Sequence, residues 1–513
     1  MNKKLSSIMV LVSQLIVAAG SFAQPAASAS EIPGKNPHPS ISDPQLGIGW
    51  GFLYGCLSVK PEHYLPEMRA LGADFTKVYL FWNQIEPKRG QYDWKAVDAF
   101  VDQLSSPEEG LIALFSTSQW ATRQSAAMLP PSPAKDPDDY YRFVHDLVKH
   151  CKGRVRYWQN DCEPNNPIYW LGTKEEFTTQ LKVFYNAVKD ADPSAIVVAG
   201  GYDGLFGPPG THQFPNQQVG LDFFDYVLKE GRDAFDLFDL RLYGDSYTIE
   251  ARVQIMRQKM QALGYNKPII CAEYGGPAFF QFAENRKYAA MIYTWMQSIN
   301  KTDANGLPSS DNASGGQIAE LYKNMDSLAP QTQMFMIGCR PELEAKYDRI
   351  QARGLVMRNV FALSAGVNKT LYWQFADDRD NPSPLMRLMY GKVGLIGYEN
   401  GELKKRYPTA DAFQRMAQHL SGVRGVKRID VPGKPSIFLF QLDRGQQKPS
   451  FVVWERRDEF GGEDSPAVPF DFAWATAKAS ASDALGQSVP VQIADGRLHL
   501  SISLTPVFIE PAD

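Results

Sequence analysis

Short apolar segments alternate with amphipathic ones over most of the chain, and this alternation restricts the fold more than any other feature. Eight segments carry few polar residues, which is typical of parallel strands that are buried on both faces. They are Leu46–Tyr54, Phe75–Phe81, Leu111–Phe115, Val155–Asn160, Ile196–Ala199, Leu237–Leu242, Pro268–Ala272 and Lys369–Phe375. Eight strands that alternate with helices predict an α/β fold, the (β/α)8 TIM barrel.

Helical periodicity is clear between the third and fifth strands. One helical face is formed by Tyr140, Phe143, Val144, Leu147, Val148 and Cys151, which follow the spacing of an amphipathic helix. Thr173 and Glu176 have the spacing of a capping box for the next helix. Asp192-Pro193 is expected to end that helix.

A doubly wound sheet is the alternative fold. If it bound a dinucleotide, it would usually carry a G-x-G-x-x-G turn after its first strand. The nearest run, Gly47–Phe52, lies inside the first strand candidate, and Phe52 stands where the third glycine is needed. The barrel is therefore the preferred prediction.

A chain of 513 residues is too long for one simple core, so two domains are expected. The barrel is predicted over residues 45–422, with a polar insertion at Asn300–Ala345 near its mouth. Residues 423–513 are predicted to form a small antiparallel, sandwich-like β domain because short strands alternate with turns. These strands are Ile437–Leu442, Phe451–Trp454, Val489–Ile493, Leu498–Leu504 and Val507–Ile509.

The first residues have the pattern of an export signal. Lys3 and Lys4 precede the apolar run Ile8–Ala19, and Ser21-Phe22-Ala23 has the small residues of a cleavage site. We therefore expect a signal peptide at residues 1–23, a flexible leader at 24–44 and an exported protein, periplasmic or secreted. No later segment is long and apolar enough to predict a membrane span.

Charge and residue usage exclude several functions. The formal net charge of −4 argues against a nucleic-acid partner, which would favour a basic surface. Five cysteines and seven histidines show no spacing typical of a disulfide framework or a zinc site. No metal or organic cofactor is expected, and the oligomeric state is open.

Two glutamates follow strand-like runs and are the catalytic candidates. Glu163 follows the fourth strand candidate, and Glu273 follows the seventh. In a TIM barrel, polar residues at the carboxyl ends of strands form the active site. A pair of carboxylates is the usual machinery for cleaving a glycosidic bond, which predicts a carbohydrate substrate.

Three motifs resemble those of clan-A glycoside hydrolases, which are retaining TIM-barrel enzymes. They are Phe81–Pro87 with Gly90–Trp94, Trp158–Asn165, and Pro268–Gly275. The resemblance implies that Glu163 is the acid/base and Glu273 the nucleophile. It also implies that Asn165, in the second motif, contacts substrate.

Two positions depart from the motifs of that clan. In the clan, an asparagine precedes the acid/base and contacts a sugar hydroxyl. Cys162 stands at that position here, and Asn160 and Asp161 are nearby candidates to make the contact instead. Lys77 stands where many members have arginine, so bidentate support of the nucleophile is expected to be lost. Both residues are counted among the substrate-site candidates.

Aromatic residues near the strand ends complete the predicted site. Tyr243, after the sixth strand candidate, is expected to donate its hydroxyl toward the nucleophile. Trp373 on the eighth strand, with Trp82 and Trp120 after the second and third, is expected to pack on sugar faces.

The sequence therefore predicts an exported retaining glycosidase that cleaves an oligo- or polysaccharide. Two alternatives remain open: a catalytically degenerate sugar-binding protein, which Cys162 and Lys77 suggest, and a transglycosylase that uses the same residues. The sequence identifies neither the sugar nor the linkage.

Overall fold

An eight-stranded parallel sheet forms the centre of the computed structural model, which describes residues 44–50, 61–166, 169–202, 217–289, 311–379, 384–399 and 402–512. Hydrogen-bonded neighbours follow the order β1-β8-β7-β6-β5-β4-β3-β2, all parallel. A bridge from Gly47 to Phe75 joins the two edges, which confirms the predicted TIM barrel. The strands are β1 (Gln45–Gly49), β2 (Thr76–Phe81), β3 (Gly110–Phe115), β4 (Tyr157–Asn160), β5 (Ile196–Tyr202), β6 (Leu237–Leu240), β7 (Ile269–Tyr274) and β8 (Lys369–Trp373).

Helices connect the barrel strands and continue beyond them. Those described are α1 (Pro61–Ala70), α2 (Trp82–Ile85), α3 (Lys95–Val101), α4 (Pro137–His150), α5 (Lys174–Ala191), α6 (Gln217–Glu230), α7 (Ile249–Ala262), α8 (Asp311–Lys323), α9 (Pro330–Gln333), α10 (Pro341–Ser364), α11 (Pro384–Tyr390) and α12 (Pro408–Leu420).

Local signals in the sequence account for the helices around β4. The apolar face of α4 is buried, and Asp136 caps its N-terminus by accepting from the Asp138 N–H. Helix α5 begins with the predicted capping box of Thr173 and Glu176. These helices pack on the sheet, whose strands are buried throughout, as parallel strands covered on both faces require.

The predicted insertion is only partly separate from the barrel. The long helix α10, which precedes β8, already begins at Pro341, because proline is favoured in the first turn of a helix. The segment also contributes Ile318, Met334 and Phe335 to a separate apolar cluster, which it shares with residues on either side of it in the chain. Residues 300–310 lie outside the described part of the chain.

Antiparallel sheets follow the barrel, as predicted. A hairpin of β9 (Ile396–Glu399) and β10 (Glu402–Arg406) comes first, within the range predicted for the barrel. A five-stranded sheet has the order β11-β12-β13-β18-β15, and a three-stranded sheet has the order β14-β17-β16. Their strands are β11 (Gly425–Ile429), β12 (Ile437–Asp443), β13 (Ser450–Glu455), β14 (Val468–Ala473), β15 (Lys478–Asp483), β16 (Val491–Ala494), β17 (Arg497–Ile502) and β18 (Val507–Ala512).

Five of the antiparallel strands, β9, β10, β11, β14 and β15, were not predicted from the sequence. Pro469 lies inside β14, and proline argues against a central strand but is tolerated at an edge, where β14 lies. Strand β15 consists of small and charged residues, and it pairs through its backbone with β18. Its sequence carries no apolar alternation from which a strand could be predicted.

Aromatic packing joins the antiparallel domain to the barrel. The ring of Phe361 on α10 lies 5.4–5.6 Å from the rings of Phe438, Phe440 and Trp454. The indole N–H of Trp454 donates to the hydroxyl of Tyr247 at 3.0 Å. The domain therefore has a packing role against the barrel.

The predicted signal peptide and the predicted leader up to residue 43 lie outside the described residues. Among the residues that are described, no helix has the length and apolar character of a membrane span.

Candidate active site

Glu273, the next-to-last residue of β7, is surrounded by hydrogen-bond donors and is only 6% exposed. Its Oε2 accepts from the Tyr79 hydroxyl at 2.7 Å and from Lys77 Nζ at 3.1 Å. The same oxygen contacts the guanidinium of Arg241. Its Oε1 accepts from the Tyr243 hydroxyl at 2.7 Å. One carboxylate therefore has two cations and two hydroxyls as partners.

These partners keep Glu273 ionised. Burial alone would raise its pKa, but the charges of Arg241 and Lys77 and the bonds from Tyr243 and Tyr79 outweigh burial and lower the pKa to about 2. Glu273 is therefore a carboxylate at neutral and mildly acidic pH. This is the protonation state that a nucleophile needs.

Glu163 lies close to Glu273 at the same end of the barrel. It follows β4 by three residues and is 8% exposed. One carboxylate oxygen of Glu163, one of Glu273 and the Sγ of Cys162 all lie within 4.8 Å of one another. The two glutamates, which lie far apart in the sequence at the ends of β4 and β7, thus form one site.

The turn that carries Glu163 is fixed to the neighbouring strand. Asp161 has a φ of 53°, which is uncommon for a residue other than glycine. Its carboxylate accepts from the N–H of Ser116 at 3.0 Å and from the Ser116 hydroxyl at 3.1 Å, while its N–H donates to the carbonyl of Leu114 at 2.9 Å. Burial raises the pKa of Asp161 to about 7 against the bonds from Ser116.

Asn160 and Asp161, the candidates to replace the asparagine that is missing at position 162, have other hydrogen-bond partners in the structure. Asn160 accepts a hydrogen bond from the Tyr140 hydroxyl on α4 at 2.5 Å. Asp161 is held by Ser116, as described above. The hydrogen bonds described for both side chains go to residues other than the two glutamates, and a contact of either with substrate stays a prediction.

Cys162 and Lys77 have partners that the sequence did not reveal. The Sγ of Cys162 accepts from Arg241 Nη2 at 2.9 Å, and burial raises the pKa of this thiol to about 12. Lys77 contacts Glu273 directly. Arg241, just after β6, adds a guanidinium contact to Oε2 of Glu273. This contact is made through one nitrogen, so the expected loss of bidentate support stays a prediction.

Cys162, Glu163 and Glu273 have a spacing at which three ligand atoms could hold a metal ion. However, Lys77 and Arg241 already contact Oε2 of Glu273, and both carry positive charge. A divalent cation would be repelled by these two groups. We therefore assign no metal to this cluster.

Two of the predicted aromatic residues lie beside the glutamates. Tyr243 bonds to Glu273, and the ring of partly buried Trp373 lies 5.7 Å from that of Tyr79. Trp373 is thus placed where a sugar ring bound at Glu273 could stack on it.

The other predicted platforms lie in a different layer. Trp82 is fully buried, stacks on Phe143 at 4.9 Å and donates its indole N–H to Glu86 at 2.8 Å. A fully buried indole offers no face to a sugar, so Trp82 is reassigned to packing. Trp120 is partly buried, and its indole N–H donates to the carbonyl of Glu86 at 3.0 Å.

The side-chain amide of Asn165 lies against α6. A Cβ added at Gly220 would lie 3.0 Å from its Nδ2. Its buried Oδ1 has no hydrogen-bond partner among the described residues. A contact between Asn165 and substrate therefore stays a prediction.

Replacing each of two tryptophans by alanine should separate packing from binding. We expect Trp82→Ala to lower the free energy of unfolding by about 3–5 kcal/mol, as other buried tryptophans do, with little change in KM. We expect Trp373→Ala to raise KM roughly two- to tenfold, which corresponds to the stacking energy of one aromatic pair. Denaturant unfolding and initial-rate kinetics measure the two effects, and a raised KM in folded Trp82→Ala would contradict the assignment.

Tyr79 and Arg241 contact Glu273 and were missed in the sequence. A signal was present, because side chains two residues apart on a strand share a face. Tyr79 lies two residues after Lys77, and Arg241 lies two residues before Tyr243. Tyr79 and Arg241 could therefore have been predicted from their two-residue spacing to Lys77 and Tyr243, which were already candidates for the site.

Comparison with known proteins gives matches in structure but not in sequence. No protein-family model matches the chain, and no curated protein matches its sequence. A family 39 glycoside hydrolase from Bacteroides cellulosilyticus WH2 matches with a TM-score of 0.60 and 14% identity, over 92% of this chain and 81% of that one. A monomeric β-xylosidase from Caulobacter crescentus CB15 matches with a TM-score of 0.56 and 14% identity, over 93% and 98% of the two chains.

A family 51 α-L-arabinofuranosidase from Bifidobacterium longum is also similar, with a TM-score of 0.50 and 12% identity over 92% of this chain and 97% of that one. All three neighbours are glycoside hydrolases. At these identities the similarity shows a shared fold, a TIM barrel followed by an antiparallel β domain.

Proposed function

We propose that the chain is an exported retaining glycosidase that hydrolyses O-glycosidic bonds by double displacement. One observation carries the proposal: carboxylate oxygens of Glu163 and Glu273 lie within 4.8 Å of each other at one end of the barrel. Retaining enzymes hold their carboxyl groups about 5–5.5 Å apart, whereas inverting enzymes leave about 6.5–9.5 Å for a water molecule. The short distance favours retention.

In the first step, Glu273 attacks the anomeric carbon while Glu163 gives its proton to the departing oxygen. The bond from the anomeric carbon to the leaving group breaks, and an ester bond to Glu273 forms. This requires an ionised Glu273, which the surrounding cations provide, and a protonated Glu163.

The contacts of Glu273 differ between its two carboxylate oxygens. Oε2 is occupied by Tyr79, Lys77 and Arg241, whereas the described partner of Oε1 is the Tyr243 hydroxyl. A new bond to carbon is hindered least at the oxygen with fewer donors. We therefore assign the attack to Oε1, with Tyr243 holding its orientation.

In the second step, Glu163 acts as a base. Having lost its proton, it accepts one from a water molecule, whose oxygen attacks the anomeric carbon and breaks the ester bond to Glu273. The sugar leaves with the anomeric configuration it had in the substrate, and both glutamates return to their starting states.

The low pKa of Glu273 predicts how the first step depends on pH. A glycoside with a highly activated leaving group needs little protonation, so its rate of attack follows the ionisation of Glu273. A pKa of about 2 leaves the carboxylate ionised from pH 4 upward. We expect pre-steady-state bursts with such a substrate to keep their rate between pH 4 and pH 7, and a fall in rate with a midpoint at pH 4.5 or above would contradict this account.

The substrate class is open to a direct screen. The structural neighbours include a β-xylosidase and an α-L-arabinofuranosidase, so pentosides belong in a panel of aryl glycosides. We expect turnover of at least one member, with retained configuration in the first product by NMR. Inverted product would refute the retaining mechanism, and binding without turnover across the panel would favour a degenerate sugar-binding protein.

The contacts of Glu273 favour the enzyme over this alternative. Burying a charged carboxylate costs free energy. A barrel that had lost its catalytic activity would have no need to keep Glu273 both buried and ionised. A transglycosylase would use the same glutamates, and it is distinguished by products that carry an added sugar. Export is inferred from residues 1–23 and is tested by the N-terminal sequence of the mature protein.

A further inference from the structure

Asp239 and Arg241, here called the strand-six pair, lie on one face at the end of β6 and are fully buried. Arg241 contacts three groups. Its Nε lies 3.2 Å from Oδ2 of Asp239, its Nη2 donates to the Sγ of Cys162 at 2.9 Å, and its Nη1 contacts Oε2 of Glu273. One guanidinium therefore touches the nucleophile and the residue next to the acid/base.

Asp239 is held by two further strands. Its Oδ1 accepts from the N–H of Ala272 on β7 at 2.8 Å, and its Oδ2 accepts from Gln159 Nε2 on β4 at 2.9 Å. Ala272 is the chain neighbour of Glu273. The carboxylate of Asp239 is thus fixed relative to the strand of the nucleophile and orients Arg241 toward it.

The end of β5 leaves room for this arrangement. Gly201 has a φ of +85°, and a Cβ added there would lie 1.9 Å from the carbonyl oxygen of Cys162 and 3.2 Å from Arg241 Nη2. The pairing of β5 with β6 shifts its register at this point. A glycine is needed here because any side chain would displace the turn before Glu163.

The pair also matches the charge changes of the proposed reaction. While Glu163 is protonated, the two positive charges of Lys77 and Arg241 balance the two negative charges of Asp239 and Glu273. When Glu273 becomes an ester, its charge is lost, and Glu163, having given up its proton, gains one. The net charge beside Arg241 is therefore the same before and after attack, so the buried cation keeps a partner throughout.

We infer that the strand-six pair is a positioning unit in which Asp239 orients Arg241, and Arg241 holds Glu273 ready for attack. The inference rests on the proposed function and adds to it two residues that the motifs of the sequence did not mark. Asp239 touches neither glutamate in the described contacts and acts through Arg241.

The test uses Arg241→Lys, Asp239→Asn and the double variant, each as the full chain. The readout is the rate of covalent labelling by a 2-deoxy-2-fluoro glycoside with an activated leaving group, between pH 4 and pH 8. The matched control is Arg353→Lys, a buried arginine on α10 that pairs with Glu463 at 2.7 Å outside the barrel. The control should label within about twofold of the wild type, as distant substitutions do.

We expect each single variant to label about 10- to 100-fold more slowly, the effect of losing a charged hydrogen bond. Labelling of Arg241→Lys should also decline toward acidic pH, because the nucleophile loses part of its support and its pKa rises. The double variant should be no slower than the slower single variant, because the two residues act as a unit.

The inference would be overturned if the fold losses in labelling rate of the two single variants multiplied in the double variant. It would also be overturned if the labelling rate of Arg241→Lys showed the same decline toward acidic pH as the wild type. If Asp239→Asn does not fold, the dependence of the Arg241→Lys labelling rate on acidic pH tests the inference alone. A wild type that takes no label and turns over no glycoside overturns the proposed function together with the inference. A labelled wild type with unaffected variants overturns the inference alone.

Discussion

Glu273→Gln is expected to lower kcat on aryl glycosides by on the order of 10⁴–10⁶-fold, as removal of a covalent nucleophile does in other hydrolases. The amide has nearly the same shape and keeps an oxygen that can accept from Tyr79 or Tyr243. It cannot form the ester to the anomeric carbon, so the loss falls on the chemistry. Steady-state kinetics with the panel substrate measure it.

The control for this variant is Glu109→Gln. Glu109 is also buried and pairs with an arginine, Arg69, at 2.7 Å, but it precedes β3 at the opposite end of the barrel. Residues at that end of a TIM barrel contribute to stability and not to catalysis. We therefore expect Glu109→Gln to keep its activity. Unfolding of both variants is measured in parallel, and a folded Glu273→Gln enzyme with more than about one tenth of wild-type kcat would refute the role of Glu273.

Glu163→Gln is expected to have the second largest effect, and the size should depend on the leaving group. With an alkyl or sugar leaving group the first step loses its acid, and kcat/KM should fall by about 10²–10⁴-fold. With a dinitrophenyl leaving group that step needs no proton, so the rate of attack should be nearly unchanged.

The same variant should then accumulate the glycosyl-enzyme. Without a base to activate water, breakdown of the ester becomes the slow step, and a burst of dinitrophenolate should precede a slow steady state. Stopped-flow absorbance records the burst. A uniform loss for good and poor leaving groups alike would show that Glu163 is not the acid/base.

The barrel could be predicted from the sequence because each strand is a short apolar run bounded by helices. The limits of β3, β4 and β7 differ from the predicted ones by only a few residues. Strands without that pattern were missed. In β14, Pro469 and Asp471 interrupt the apolar run, and pairing with β17 decides the conformation.

The candidate site was predicted where a residue ends a strand, and missed where it depends on contacts across the barrel. Glu163, Glu273 and Tyr243 were found by position. Arg241 was missed although it stands two residues before the predicted Tyr243, because its role comes from contact with a glutamate 32 residues further along the chain. Trp82 was misassigned because a buried and an exposed indole look the same in a sequence.

Arg241 also changes the interpretation of Lys77 and Cys162. Taken alone, these two residues suggested a barrel that had lost its chemistry. In the structure, Lys77 contacts Glu273 and Cys162 accepts from Arg241 Nη2. The departures from the motifs are therefore parts of one arrangement that still holds Glu273 as a carboxylate.

The central claim is that Glu273 forms a covalent bond to the sugar. The most direct measurement treats the wild-type protein with an activated 2-deoxy-2-fluoro glycoside of the sugar found in the panel, then locates the label by peptide mass spectrometry. We predict stoichiometric inactivation and a label on Glu273, in the tryptic peptide Met260–Arg286. A label on any other residue, or full turnover of natural substrate with no label, would contradict it.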